Sequence, residues 1–127
     1  MTELPMSEDQ LEAAILDAAA HYGWKVMHVR AVAIEGKQGR FYATPTTSPG
    51  YPDLTLGRDG QALHLELKGT RGRPTLDQLE WLHALGGWLI YPRHLDAVLD
   101  ILRIGLDRVP PPAPPPGVRV DARGSLY

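Results

Sequence analysis

Two short leucine-rich segments, Leu54-Thr55-Leu56 and Leu63-His64-Leu65, flank the dipeptide Asp59-Gly60, and no other stretch of the chain constrains its fold so tightly. Apolar and polar residues alternate as in half-buried strands, and Asp-Gly favours the two-residue type I′ hairpin turn. That turn pairs Arg58 with Gln61. Counting outward sets Thr55 opposite His64, Asp53 opposite Glu66 and Tyr51 opposite Lys68, all on one face. Leu54, Leu56, Leu63, Leu65 and Leu67 take the other face. Directly opposed carboxylates, with Cβ atoms roughly 5 Å apart, repel one another, and a sheet has no structural reason to choose that pair. A divalent cation between them removes the objection.

At 127 residues the chain is long enough for one domain, and six prolines between Pro110 and Pro116 keep the end of the chain out of any packed core. The expected division is an N-terminal extension over 1–6, a folding unit over 7–108 and a flexible proline-rich tail over 109–127. The chain has no cysteine, which excludes disulfides, thiolate metal sites and thiol nucleophiles and fits a reducing compartment. An acidic start and the lack of any apolar run near the roughly 18 residues that span a bilayer predict a soluble, cytoplasmic protein with no membrane attachment. A net charge of −2 excludes a globally basic coat, so phosphate binding must be local. The local candidate is Lys68-Gly69-Thr70-Arg71-Gly72-Arg73, a loop leaving the strand that carries Glu66, with Lys68, Arg71 and Arg73 as phosphate contacts.

Ser7-Glu8-Asp9-Gln10 is a capping box that opens a first helix, whose apolar stripe runs to Tyr22 and ends at Gly23. Trp24 to Arg30 has the alternation of a strand, whereas Ala31 to Ser48, with Gly36, Gly39 and Pro45 around a short Arg40-Phe41-Tyr42-Ala43 segment, is expected to be a long loop that could hold a brief strand or lie over a substrate. Thr75-Leu76-Asp77-Gln78 opens a second helix that stops at Gly86-Gly87. Trp88 to Tyr91 is a buried strand, and Leu95, Val98, Leu99 and Leu102 form the stripe of a last helix. The expected order is αβββαβα, an α/β fold with a central sheet flanked by helices.

Phosphodiester hydrolysis at a metal site needs carboxylates to hold the ion, an activated water and positive charge for the developing oxyanion. Asp53 and Glu66 would hold a hard cation such as Mg²⁺ with the Leu67 backbone carbonyl between them, and Lys68 would position water or neutralise charge. A third carboxylate is expected from the first helix. Glu8 sits in the first turn, where the helix dipole already accounts for an acid, so Glu12 is favoured and Glu8 is the alternative. Gln78 is both the capping partner of Thr75 and a candidate to touch a metal-bound water or phosphate. His28 and His64 lack zinc-type spacing, and Trp24, Trp81 and Trp88 suit a core.

Together, Glu12, Gly50-Tyr51-Pro52-Asp53, Glu66-Leu67-Lys68 and Gln78-Leu79-Glu80-Trp81-Leu82 resemble the VRR-NUC family of the PD-(D/E)xK nuclease superfamily, over about residues 7–104. The resemblance implies a restriction-endonuclease-like αβββαβ core with a mixed sheet and dependence on Mg²⁺ or Mn²⁺. It further implies a homodimer that cleaves structured DNA such as Holliday junctions or flaps, as for short phage and bacterial members. The alternative is a DNA-binding module that retains the fold without catalysis, and a third possibility is an adaptor recruiting partners through the tail. Carboxylates that repel DNA argue against the module.

Overall fold

The computed structural model describes residues 5–29, 32–36, 39–43 and 49–106, with 32–43 described by their backbone alone. The proline-rich tail at 109–127 and the first four residues of the N-terminal extension lie outside the described residues.

The hairpin forms as its sequence dictates. Asp59 and Gly60 both have positive φ (51° and 79°), as a type I′ turn demands, and strands β4 (Leu54–Arg58) and β5 (Gln61–Leu67) pair with Arg58 opposite Gln61 and Thr55 opposite His64. The side chains of that second pair meet on the expected face, Thr55 Oγ1 lying 3.1 Å from His64 Nδ1. On the other face Leu54, Leu56, Leu63, Leu65 and Leu67 are all buried. Strand β1 (Lys25–His28) adds antiparallel to β4, and β6 (Trp88–Ile90) adds parallel to β5, giving a mixed four-stranded sheet ordered β1-β4-β5-β6.

Helices cover both faces. Against the leucine face pack α1 (Glu8–His21), through Leu11, Ile15 and Ala19, and α3 (Leu95–Ile104), through Val98, Ile101 and Leu102. Truncating one of these buried leucines to alanine costs about 2–5 kcal/mol in comparable cores. The other face carries α2 (Leu76–Leu85), where Leu82 joins Leu89 and Tyr91 in a smaller cluster. Both expected capping boxes are present. Ser7 Oγ accepts from Gln10 N and Gln10 Oε1 from Ser7 N, and Thr75 and Gln78 repeat the arrangement. Gly86, left-handed at φ 66°, ends α2.

Arg58 closes the far end of the sheet. Its Nη1 donates to the carbonyls of Tyr22 (3.1 Å) and Leu102 (2.8 Å), at the C-terminal ends of α1 and α3, and its guanidinium stacks 4.7 Å above Trp24. A cation there satisfies orphan carbonyls and complements both helix dipoles.

One expectation is corrected. The stretch Ala31 to Ser48 holds two strands, β2 (Val32–Gly36) and β3 (Gly39–Ala43), paired antiparallel as a separate two-stranded sheet. Gly36 and Gly39, taken as breakers, face each other at the turn end of that hairpin, while Val32, Ile34, Phe41 and Tyr42 are residues that favour extended backbone. The strand after α1, β1, ends at His28, and a 3₁₀ turn at Pro92–His94 precedes α3. Among the described residues, no helix is long and apolar enough to cross a membrane.

Candidate metal centre

Three elements converge where β4 begins and β5 ends. Asp53 stands one residue before β4 and is held by backbone groups on two sides. Its carbonyl accepts from Val29 N (2.9 Å) and its Oδ2 accepts from Leu67 N (2.8 Å). That side-chain oxygen thus serves the amide that the ladder, not yet begun on β4, leaves open.

Glu66, next to Leu67 and in register with Leu89 of β6, is 2% exposed on the face covered by α2. Its two oxygens differ. Oε2 accepts from Gln78 Nε2 (3.2 Å) and lies 3.4 Å from Lys68 Nζ, whereas Oε1 is buried without a hydrogen-bond donor. Two ionised carboxylates have no proton to share, so Asp53 beside Glu66 supplies repulsion until one is protonated or a cation intervenes. Burial first, then the Asp53 charge, push the Glu66 carboxyl up to about 8, against the opposing pull of Lys68.

The third carboxylate is Glu8. One oxygen from each of Glu8, Asp53 and Glu66 lies within 4.8 Å of the others. Glu12, favoured by the sequence, instead pairs with His28, Oε1 to Nε2 at 3.1 Å, between α1 and β1. The reason is tertiary. The loop after β5 grips the entry to α1: Thr70 N and Oγ1 both donate to the Met6 carbonyl at 3.3 Å, and Met6 N donates to Thr70 Oγ1. Gly69 sits so close that an added Cβ would lie 3.2 Å from Glu8 N. The first turn of α1, rather than the second, is thereby laid against the exit of β5. Glu8 is exposed, yet partial desolvation and then the Asp53 charge raise its pKa, opposed by Lys68.

The segment Gly50 to Asp53 is fixed by α2. Gly50 (φ 87°) passes so near the first turn of α2 that a Cβ would fall 2.6 Å from the Asp77 carbonyl carbon and 2.7 Å from Gln78 N. Tyr51 meets Trp81 edge to face, with ring centroids 5.0 Å apart, and Pro52 is buried. Gln78 and Trp81, three apart on one side of α2, therefore hold Glu66 and the segment leading to Asp53. Gln78 meets its capping expectation, its Oε1 accepting from Thr75 N (2.8 Å), while its Nε2 donates to Glu66 (3.2 Å). Trp24 lies in the core and Trp88 packs against it, whereas Trp81 belongs to this contact.

The basic loop leaves Lys68 with a half-buried side chain and Arg71 and Arg73 exposed. Gly72 between those arginines is tied by its N–H to the Gly69 carbonyl (2.9 Å) and by its carbonyl to the Tyr91 hydroxyl (2.8 Å). Tyr91 was no part of the sequence-level site. Its signal, an aromatic residue ending a buried strand, looked like core alone. Chemically, three carboxylates against one ammonium offer a hard, oxygen-rich site for a divalent cation.

The molecule is thus an α/β protein whose mixed sheet and two helices bring an acidic trio, a lysine and an amide together at the ends of two neighbouring strands. Comparison of the chain with protein-family models, curated proteins and solved structures finds no match.

Proposed function

We propose that the chain is a divalent-metal-dependent DNA endonuclease acting on branched or otherwise structured DNA. The observation that carries this reading is the Glu66 carboxylate, almost fully buried beside Asp53 and Glu8 with Oε1 lacking any donor. A buried carboxylate oxygen left without a donor is costly, and a cation held there answers it.

Glu8, Asp53 and Glu66 would hold the ion, with the Leu67 carbonyl as a further ligand. Bound Mg²⁺ or Mn²⁺ supplies an acidified water and a Lewis acid for the phosphate oxygen. The chain's own groups do the rest. Leu67 N–H fixes the Asp53 carboxylate, while Gln78 and Lys68 fix Glu66 by Oε2 and leave Oε1 without a partner. Lys68, 3.4 Å from Glu66 Oε2, would orient the attacking water or offset charge developing on phosphate. Arg71 and Arg73 would grip the phosphate backbone. Two copies related by a two-fold axis suit a symmetric four-way junction.

The test is incubation of purified protein with a labelled four-way junction, a flap and a plain duplex, each with Mg²⁺, Mn²⁺ or EDTA. Cleavage of a branched substrate with either metal, none in EDTA, and none by Glu66→Gln or Lys68→Ala are expected. Absence of cleavage of every substrate under all metal conditions overturns the reading.

A further inference from the structure

Five arginines have described side chains, and their placement divides them. Arg58 is turned inward onto the Tyr22 and Leu102 carbonyls, and Arg103 pairs with Asp100 at 3.6 Å. Arg71, Arg73 and Arg93 are exposed and pair with no carboxylate among the described residues.

Those three belong to two loops that leave the same edge of the sheet. β5 and β6 are parallel, with Leu67 beside Ile90, and Lys68 N donates to the Ile90 carbonyl (3.0 Å) just past the strand ends. The carboxyl ends of neighbouring parallel strands are where open α/β sheets bind ligands. From one end runs Lys68 to Arg73, and from the other Tyr91 to His94. Tyr91 joins them: only 8% exposed, it donates its hydroxyl to the Gly72 carbonyl (2.8 Å), between Arg71 and Arg73. On its ring lies the Arg93 guanidinium, 4.5 Å from the centroid. The turn carrying Arg93 is itself pinned, Tyr91 N donating to His94 Nδ1 at 2.9 Å.

We infer that Arg93 contacts a backbone phosphate of the nucleic acid beside the basic loop, and that Tyr91 is the positioning residue that holds the two cationic loops in one surface. This rests on the nuclease reading. A guanidinium stacked on a ring loses less freedom when it binds, keeps its outward N–H groups for phosphate oxygens and stays charged at any working pH. Cations on two joined loops suit a run of phosphates better than a single anion. The neighbouring acidic trio makes an acidic polypeptide the poorer occupant, since it offers no metal-bridged phosphate to offset the repulsion.

The experiment measures binding of the full chain to a labelled four-way junction in Ca²⁺ over a series of potassium chloride concentrations. Thermal melts check each variant's folding. Arg93→Gln is expected to weaken binding several-fold and to lower the slope of log affinity against log salt by about 0.9, the loss of one phosphate contact. Tyr91→Phe, which removes a hydroxyl and no charge, should weaken binding with the slope kept. Arg103→Gln, on α3, should change neither. Wild-type affinity and slope in Arg93→Gln, or lower affinity with an unaltered slope, would overturn the role of Arg93. If the wild-type protein itself binds no branched DNA, the nuclease reading falls first and this inference with it.

Discussion

Glu66 is served unequally by its neighbours, and that asymmetry has a thermodynamic signature. Gln78 and Lys68 occupy Oε2 and leave Oε1 buried and bare. With its carboxyl raised from 4.5 to about 8, the metal-free folded state holds a proton that the unfolded chain releases. Between those values the folded state binds more protons, so this contribution is complete below 4.5 and is lost as pH rises through about 8. In EDTA the wild type should therefore melt higher near pH 5 than near about pH 8.5, and Glu66→Gln should remove much of that difference. Equal pH slopes in the two proteins would contradict the raised carboxyl. Asp53→Asn tests the same repulsion from the other side. Asparagine keeps an oxygen for Leu67 N–H while removing one charge, so above about pH 8, where Glu66 ionises, the variant should be more stable than wild type in EDTA by about 1 kcal/mol. A loss of stability in a denaturant titration would make Asp53 a purely structural residue.

The site depends on α2 more than on any single strand, because one helix face holds both Glu66 and the segment leading to Asp53. Gly50→Ala would force a non-glycine residue to φ 87° and drive its Cβ into the Asp77 backbone. The expected cost is about 2 kcal/mol or more in chemical denaturation, together with weakened metal response, since Tyr51, Pro52 and Asp53 shift with it. Thr75→Ala removes the capping hydroxyl together with a methyl group and should cost about 1 kcal/mol with the metal response kept. Equal effects of the two changes would detach the site from the path of Gly50. Sequence showed Gly50 as part of a motif but not why glycine is needed there. The reason is the backbone of α2, 27 residues along the chain and invisible to local pattern. Of the β2–β3 hairpin only the brief strand at Arg40 to Ala43 was legible, for the opposite cause: its glycines sit at the turn end, a position that pattern alone does not separate from a break.

At the scale of the whole molecule, what was legible is what local chemistry decides. Asp59-Gly60 determined the register, the leucines determined which face is buried, and Ser7 and Thr75 marked two helix starts. The choice between Glu8 and Glu12 was not of that kind. Dipole and stripe arguments favoured Glu12, but contacts between Met6 and Thr70, 64 residues apart, bring the first turn of α1 to the acids, and Glu12 finds His28 instead. That difference makes the metal site open to a direct measurement: the thermal stability of wild type, Glu8→Gln, Glu12→Gln and Glu66→Gln with rising Mn²⁺. A cation bound only by the folded state adds stability as its concentration exceeds the dissociation constant, about 2.7 kcal/mol at a hundredfold excess. The melting temperature of wild type and of Glu12→Gln should climb with Mn²⁺, that of Glu8→Gln should climb less, and that of Glu66→Gln should stay near its EDTA value. Equal climbs in Glu66→Gln and wild type would contradict a cation held by Glu8, Asp53 and Glu66.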